Sequence, residues 1–256
     1  MTILRLLAVV TFFYGVDARA VWDDYSPFEK GQELPAVVLT AFTVTKSAAV
    51  PRESVVLKSY QLVDKAKKTV RIDVAWPGKC EPLLTLSVDG EKQFSGLIVA
   101  SPITDVEVYG ADLNGDGVAD YAVYNDSGGC GLAGQLKYVT LLLSSPTGYG
   151  CVRVMSYDAK PADFVNISSQ TYLVHTSFIS GEEGKDGRHH NYWVYNLLKI
   201  SGKTLVLDNT PDRRFPKWVM YSFDPNHRDT TQLTTEQRQR LWTKYRKENP
   251  GDTGGD

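Results

Sequence analysis

The sequence has few of the side chains that transition-metal centres require. It contains three cysteines (Cys80, Cys130 and Cys151) and four histidines among 256 residues. The cysteines show no Cys-x-x-Cys or Cys/His spacing of the kind that zinc sites use. The adjacent His189 and His190 follow a charged, glycine-containing loop, and neighbouring residues of a strand point to opposite faces. A zinc-type site is therefore disfavoured.

The sequence also lacks an excess of one charge and, beyond its N-terminus, a long apolar run. Lys and Arg total 28 against 30 Asp and Glu, which leaves a net charge of -2, and the two signs are interspersed. Proteins that bind nucleic acid present a clustered basic face. We therefore expect no nucleic-acid partner and no membrane span after the first 20 residues.

Residues 1–20 are typical of an export signal. Arg5 precedes an apolar run over residues 6–16, and a small-x-small cleavage site ends at Ala20. An uncleaved membrane anchor is the alternative, but the run is shorter than the ~20 apolar residues of a transmembrane helix. We predict a signal peptide over residues 1–20, a mature chain that begins at Val21, and a secreted or periplasmic location.

The three cysteines leave the disulfide pattern open. An exported protein can form disulfides, but three cysteines allow three pairings and leave one thiol over. Cys130 and Cys151 flank an apparent hairpin formed by residues 138–144 and 151–157. We therefore favour a Cys130–Cys151 disulfide, with Cys80 as a free thiol or a link to another chain.

A short acidic loop over residues 112–120 carries the clearest chemistry. Its oxygen donors recur at alternate positions in an order typical of calcium loops: Asp112, Asn114, Asp116, the Val118 carbonyl and Asp120. Gly117 allows the sharp reversal that such a loop needs. Calcium is a hard cation that prefers oxygen ligands. The sequence therefore predicts a calcium site, although a plain Asp/Asn/Gly turn is the alternative.

The flanks of this loop distinguish it from an EF-hand. Position 12, counted from Asp112, is Val123, where an EF-hand has a bidentate Glu. Residues 104–109 and 121–124 are β-branched and aromatic, which predicts strands rather than helices. A loop of this kind between strands resembles the calcium loops of FG-GAP/VCBS and related integrin-alpha-type repeats. The resemblance implies a structural calcium ion. Those proteins repeat the loop in each blade of a β-propeller, and this chain shows one clear copy.

Short β-branched and aromatic runs divided by Gly, Pro and Asp predict a mainly β fold. The predicted strands cover residues 36–45, 54–62, 68–75, 83–88, 94–99, 106–109, 121–124, 138–144, 151–157, 172–177, 193–200, 204–207 and 218–222. Their close spacing favours antiparallel sheets, either partly propeller-like or sandwich-like. We assign residues 21–232 to one β-rich domain, and residues 47–53 are the alternative boundary within it.

One helix is predicted near the C-terminus, over residues 233–248. Thr234 and Gln237 have the spacing of a capping box. Leu241, Trp242 and Tyr245 form a narrow apolar side, which we expect to pack on a sheet. We expect the Gly-rich residues 249–256 to be disordered.

Two alternatives to a purely structural calcium protein remain open. The first is a secreted hydrolase with structural calcium, whose site would contain His175 or the carboxylates Asp126 and Asp158. Convergence of His175 with a carboxylate and Ser127 would favour it. A trypsin-like order is excluded, because the first histidine follows the Asp-Ser-Gly-Gly segment that contains Ser127.

The second alternative is a carbohydrate- or surface-binding module. Aromatic residues are dense in residues 190–196 and 218–223, and exposed aromatics on a sheet bind sugars by stacking. Residues 128–133, 190–198 and 218–231 resemble a group of secreted bacterial proteins that carry one such aspartate loop. That resemblance implies no activity. We predict an exported, non-catalytic calcium-binding protein, with a carbohydrate or protein ligand as a further partner.

Overall fold

The computed structural model describes residues 26–49, 55–63, 67–77, 82–98, 106–222 and 230–250. The predicted signal peptide, Cys80 and residues 251–256 of the predicted tail lie outside the described residues. Among the helices of the described ranges, none combines the length and the apolar character that crossing a membrane requires.

The described chain forms three antiparallel sheets of five strands each. The first sheet is a meander of consecutive strands: β2 (Thr43–Ala49), β3 (Val55–Val63), β4 (Thr69–Pro77), β5 (Leu83–Val88) and β6 (Glu91–Leu97). The middle sheet has the order β1-β7-β8-β9-β10: β1 (Thr40–Ala41), β7 (Val106–Ala111), β8 (Asp120–Asp126), β9 (Leu136–Leu143) and β10 (Gly150–Tyr157).

The third sheet is built around one long hairpin. Its members are β11 (Phe164–Ile167), β12 (Gln170–Glu183), β13 (His189–Ser201), β14 (Thr204–Leu207) and β15 (Lys217–Met220), and both β14 and β15 pair with β13. Two short 3-10 helices, Gly131–Gln135 and Pro161–Asp163, precede β9 and β11.

The middle sheet is buried on both faces, which makes the fold a stack of three sheets. On β8, Tyr121 and Val123 belong to a core cluster with the first sheet, whereas Ala122 and Tyr124 belong to a cluster with the third sheet. Alternate residues of a strand point to opposite faces, so a strand with no polar face has to be covered on both sides. The sandwich-like form of the predicted mainly β fold is therefore the correct one.

The helix α1 (Thr235–Glu248) covers one end of the third sheet. Its capping box is formed as predicted, because Thr234 Oγ1 accepts from Gln237 N at 3.2 Å and Gln237 Oε1 accepts from Thr234 N at 2.8 Å. Leu241 is buried in a cluster with Ile179 and Trp218. The apolar side of α1 thus packs on the sheet, as the sequence pattern indicated.

The strand predictions fail where the chain changes sheet. The predicted strand over residues 36–45 is divided between β1 of the middle sheet and β2 of the first, and Phe42 lies between them. Strand β11 was missed because Phe164–Ile167 is a run of four residues. The hairpin of β12 and β13 extends to a Glu183–His189 pair, beyond the predicted ends at residues 177 and 193.

The predicted disulfide is not formed, since Cys130 and Cys151 are both free thiols. The hairpin of β9 and β10 separates them. Cys130 precedes the 3-10 helix that leads into β9, whereas Cys151 pairs with Leu142 at the far end of that strand. A disulfide needs Cα atoms within about 7 Å, and six residues of strand span ~20 Å. Cys130 and Cys151 flank the hairpin in the sequence, and in the structure they therefore lie at its opposite ends.

Candidate functional site

The acidic loop joins β7 to β8 at one edge of the stack. An Ala111–Asp120 pair closes the loop at its base. Gly115 and Gly117 adopt left-handed backbone conformations, with φ of 79° and 82°. Such angles are strained for residues with a Cβ, which accounts for glycine at these two positions. The sequence therefore sets the local path of the loop.

Asp120 is fully buried beneath this loop and accepts four hydrogen bonds. Its Oδ2 accepts from Leu113 N at 2.7 Å and Asn114 N at 2.9 Å. Its Oδ1 accepts from Ser144 N at 2.6 Å and Ser144 Oγ at 2.8 Å. A carboxylate offers about four lone-pair positions, so these donors fill them. Burial raises the pKa of Asp120, and the four hydrogen bonds act in the opposite direction.

Asp112 and Asp116 are exposed and are bonded mainly to the backbone of their own loop. The two carboxylate oxygens of Asp112 accept from the amides of residues 115, 116 and 117 at 2.8 to 3.1 Å. Asp116 Oδ1 accepts from Val118 N at 2.8 Å, and its Oδ2 lies 2.8 Å from Ser144 Oγ, the hydroxyl whose one proton is donated to Asp120 Oδ1. Both carboxylates keep acceptor capacity on the solvent side.

Among the residues that the structure describes, no group of three or more His, Cys, Asp or Glu is placed to hold a metal ion. The loop side chains whose oxygens keep acceptor capacity are those of Asp112, Asn114 and Asp116. Asp120 instead ties the loop to Ser144, which follows β9.

The residues named for a hydrolase lie apart. His175 is fully buried, its Nε2 lies 2.8 Å from the Met155 carbonyl oxygen, and burial lowers its pKa to about 4. Ser127 donates its hydroxyl to the Ala133 carbonyl at 2.6 Å in the loop after β8. Asp158 lines a cavity that includes neither His175 nor Ser127. These side chains do not form a nucleophile-and-base arrangement.

The aromatic residues of the third sheet are core residues rather than an exposed platform. Tyr192, Trp193, Tyr195 and Trp218 are between 0% and 7% exposed. The flat stacking surface of the binding-module alternative is therefore absent at these four positions. The adjacent histidines do not share this contact: His190 Nε2 lies 2.7 Å from Asp186 Oδ2, and His189 takes no part in it.

The structure contains a cavity of about 480 Å³ that no sequence pattern predicted. It lies between the outer face of the third sheet and the N-terminal segment, which we define as residues 26–36. Trp193, Tyr195 and Val174 form its sheet side, and Tyr157 and Asp163 belong to its wall. Cavities of this size with aromatic linings and a few polar groups are typical of small-molecule sites.

Asp163 is the unusual side chain of this cavity. It is partly buried at the end of the Pro161–Asp163 3-10 helix, and Lys160 N donates to its Oδ2 at 2.8 Å. Burial raises its pKa to about 7, despite the opposing effects of this hydrogen bond and of the Lys160 and Lys137 charges. Nearby in the core, the Tyr124 hydroxyl is buried and has no hydrogen-bond partner among the described residues. Only the fold brings Tyr124 and Asp163 together.

Comparisons with known proteins identify no relative of this chain. No protein-family model, no curated protein and no solved structure matches the sequence. The likeness of residues 112–120 to FG-GAP/VCBS loops therefore stays a prediction from sequence.

Proposed function

We propose that this protein is an exported, non-catalytic β-sheet protein whose 112–120 loop binds calcium and is stabilised by it. The observation that carries the proposal is the pair of exposed carboxylates, Asp112 and Asp116, on a loop whose backbone is already fixed by hydrogen bonds. A preformed loop loses little conformational freedom when an ion binds.

The ligand set that we propose is smaller than the one the sequence suggested. It comprises the side chains of Asp112, Asn114 and Asp116 and the carbonyl of Val118. Asp120 positions the loop and is not a ligand, because its lone pairs are filled by backbone and hydroxyl donors. Calcium takes six to eight oxygen ligands, so water would complete the shell. We therefore expect a weak site, with Kd of roughly 10⁻⁴ to 10⁻³ M, as in extracellular modules.

The test is thermal unfolding in 10 mM calcium, in 10 mM magnesium and in chelator. At ten times Kd, a ligand of the native state contributes about 1.4 kcal/mol. For a protein of this size, that corresponds to a rise of about 3–6 °C in Tm. Magnesium should raise Tm less, because it demands octahedral geometry and releases its waters reluctantly.

Two variants locate the effect. Asp116→Asn keeps an acceptor for Val118 N but removes the charge, and it should lose the calcium-dependent rise. Glu91→Gln removes an exposed carboxylate from the first sheet and should keep the rise. An unchanged Tm for the parent in calcium would make the loop a plain turn. An equal rise in Asp116→Asn would place the ion elsewhere.

Export rests on the pattern of residues 1–20 and has its own test. Protein recovered from the medium or periplasm should begin at Val21 when its N-terminus is sequenced. Recovery of intact Met1 in the membrane fraction would make the apolar run an anchor instead.

A further inference from the structure

The cavity beneath the N-terminal segment has a fixed wall and a largely apolar interior. Residues 35–37 hold that segment along β11, because Val37 N donates to the Phe164 carbonyl and Asn166 N donates to the Pro35 carbonyl, both at 2.8 Å. Phe28 and Leu34 pack against the outer core of the third sheet. The cavity is thus part of the folded structure rather than a gap beside a loose end.

The charges around the cavity are arranged by depth. Two lysines and one glutamate of the lining, Lys30, Lys160 and Glu33, are exposed at the rim. The two partly buried charges, Asp158 and Asp163, are both carboxylates, and the Asp158 charge raises the pKa of Asp163. The interior therefore favours a positive charge.

Aromatic rings line the same space. Trp193 and Tyr157 pack edge to face, with ring centroids 5.3 Å apart, and Tyr195 lines the cavity on the strand that carries Trp193. Aromatic faces attract cations, most strongly where water is excluded. A hydrophobic group joined to an ammonium ion would match both the rings and the carboxylates.

We propose that this cavity is a binding site for a small organic ammonium ion, with Asp163 as the carboxylate that pairs with its charge. The site is separate from the 112–120 loop and does not depend on calcium. A ligand cation replaces the solvation that Asp163 loses on burial, which a neutral ligand does not do.

Binding should be linked to protonation of Asp163. The charged groups that act on this carboxyl are Lys160 and Asp158 beside it and Lys137 of β9, and it in turn acts on Tyr124 of β8. Lys30 and Glu33 of the N-terminal segment line the same cavity. Since the pKa of Asp163 is about 7, a cation has to displace a proton below that pH. Affinity should therefore rise from pH 5.5 to 8, by up to about tenfold per pH unit below pH 7.

The probes are benzylammonium and benzyl alcohol, and the full chain is titrated with each at pH 5.5, 7 and 8. Benzylammonium stays cationic throughout this range, so a change in affinity reports the protein. Calorimetry measures binding, and Trp193 supplies a fluorescence signal in the cavity wall. We expect benzylammonium to bind at least about tenfold more tightly than the alcohol at pH 8, as an ionic hydrogen bond implies.

Three variants complete the test. Asp163→Asn keeps an acceptor for Lys160 N but removes the charge. It should weaken the binding of benzylammonium by about tenfold and abolish the pH dependence of its affinity. Ala162→Phe places a ring at an exposed lining position and should block both probes while the protein stays folded by circular dichroism. Glu91→Gln, on the first sheet, should bind like the parent.

Each contrary result overturns the proposal. Equal affinity for the two probes would show an apolar cavity without charge preference. Absence of binding at 10 mM of either probe would remove the site altogether. Benzylammonium binding that survives both Asp163→Asn and Ala162→Phe would place it elsewhere on the protein.

Discussion

Asp120 and Asp163 are both affected by burial, but they differ in the number of hydrogen-bond donors that the fold supplies to them. Burial raises the pKa of both. Asp120 accepts four hydrogen bonds, from Leu113, Asn114 and Ser144, whereas the described residues give Asp163 one, from Lys160 N. With four donors, Asp120 holds the loop in place. With one donor, Asp163 keeps acceptor capacity for a ligand.

Structural and ligand-binding acids in the same fold differ in how much acceptor capacity their carboxylates keep. A carboxylate whose lone pairs are filled holds the chain in place and cannot bind an ion without giving up those donors. A carboxylate with a perturbed pKa beside a cavity has capacity left and is a candidate site. The sequence pattern included Asp120 among five predicted calcium ligands and gave no sign of Asp163.

The largest effect should come from removing Asp120. Asp120→Ala leaves buried donors of Leu113 and Ser144 without an acceptor, and we expect a loss of about 3 kcal/mol or more in the free energy of unfolding. Urea unfolding in chelator measures this. The matched variant Asp112→Ala frees exposed amides that water can satisfy, so it should cost about 1 kcal/mol. Equal costs would contradict the distinction between the buried and the exposed acid.

The buried His175 tests whether burial of a titratable side chain makes the free energy of unfolding depend on pH. Its folded pKa of about 4 lies below the value near 6.5 that it has when unfolded. Above pH 6.5 the ring is neutral in both states, and stability is lost as pH falls from about 6.5 to about 4, by roughly 3 kcal/mol. His175→Gln lacks this titration. The stability difference between the parent and the variant should therefore shrink over that window, and a constant difference would argue against it.

Asp163 should titrate in the opposite sense and with a smaller effect. Its folded pKa of about 7 exceeds the unfolded value near 3.9, so the folded state binds the proton more tightly. The parent should therefore lose stability as pH rises from about 4 to about 7 and stay constant above. We expect Asp163→Asn to match the parent near pH 4 and to exceed it at pH 8 by roughly 1–2 kcal/mol, an amount discounted for partial exposure. If Asp163→Asn is less stable than the parent at pH 8, other groups already offset the cost of burying the Asp163 carboxylate.

The smallest effect should come from Asp116. In chelator, Asp116→Asn should change the free energy of unfolding by no more than about 0.5 kcal/mol, because the side chain is exposed and keeps its bond to Val118 N. The same urea measurement serves as the reference for the calcium experiment. A loss close to that of Asp120→Ala would mean that the exposed acids also hold the loop.

Much of the fold could be predicted from local sequence patterns. The meander of the first sheet, the β9–β10 hairpin and the capped helix α1 all follow from runs of suitable residues and from turn or cap signals. The acidic loop was also recognisable as a loop. These features depend on contacts between residues close in the chain, or between strands that follow one another.

The stacking of three sheets and the roles of the acids were decided only by tertiary structure. The sequence determined that strands would form and that residues 112–120 would turn between two of them. It did not determine that Ser144 would meet Asp120, 24 residues earlier, or that the N-terminal segment would cover the sheet face beside Asp163. The physical reason is that burial and hydrogen-bond saturation depend on which surfaces meet, whereas propensity and turn chemistry act over a few residues.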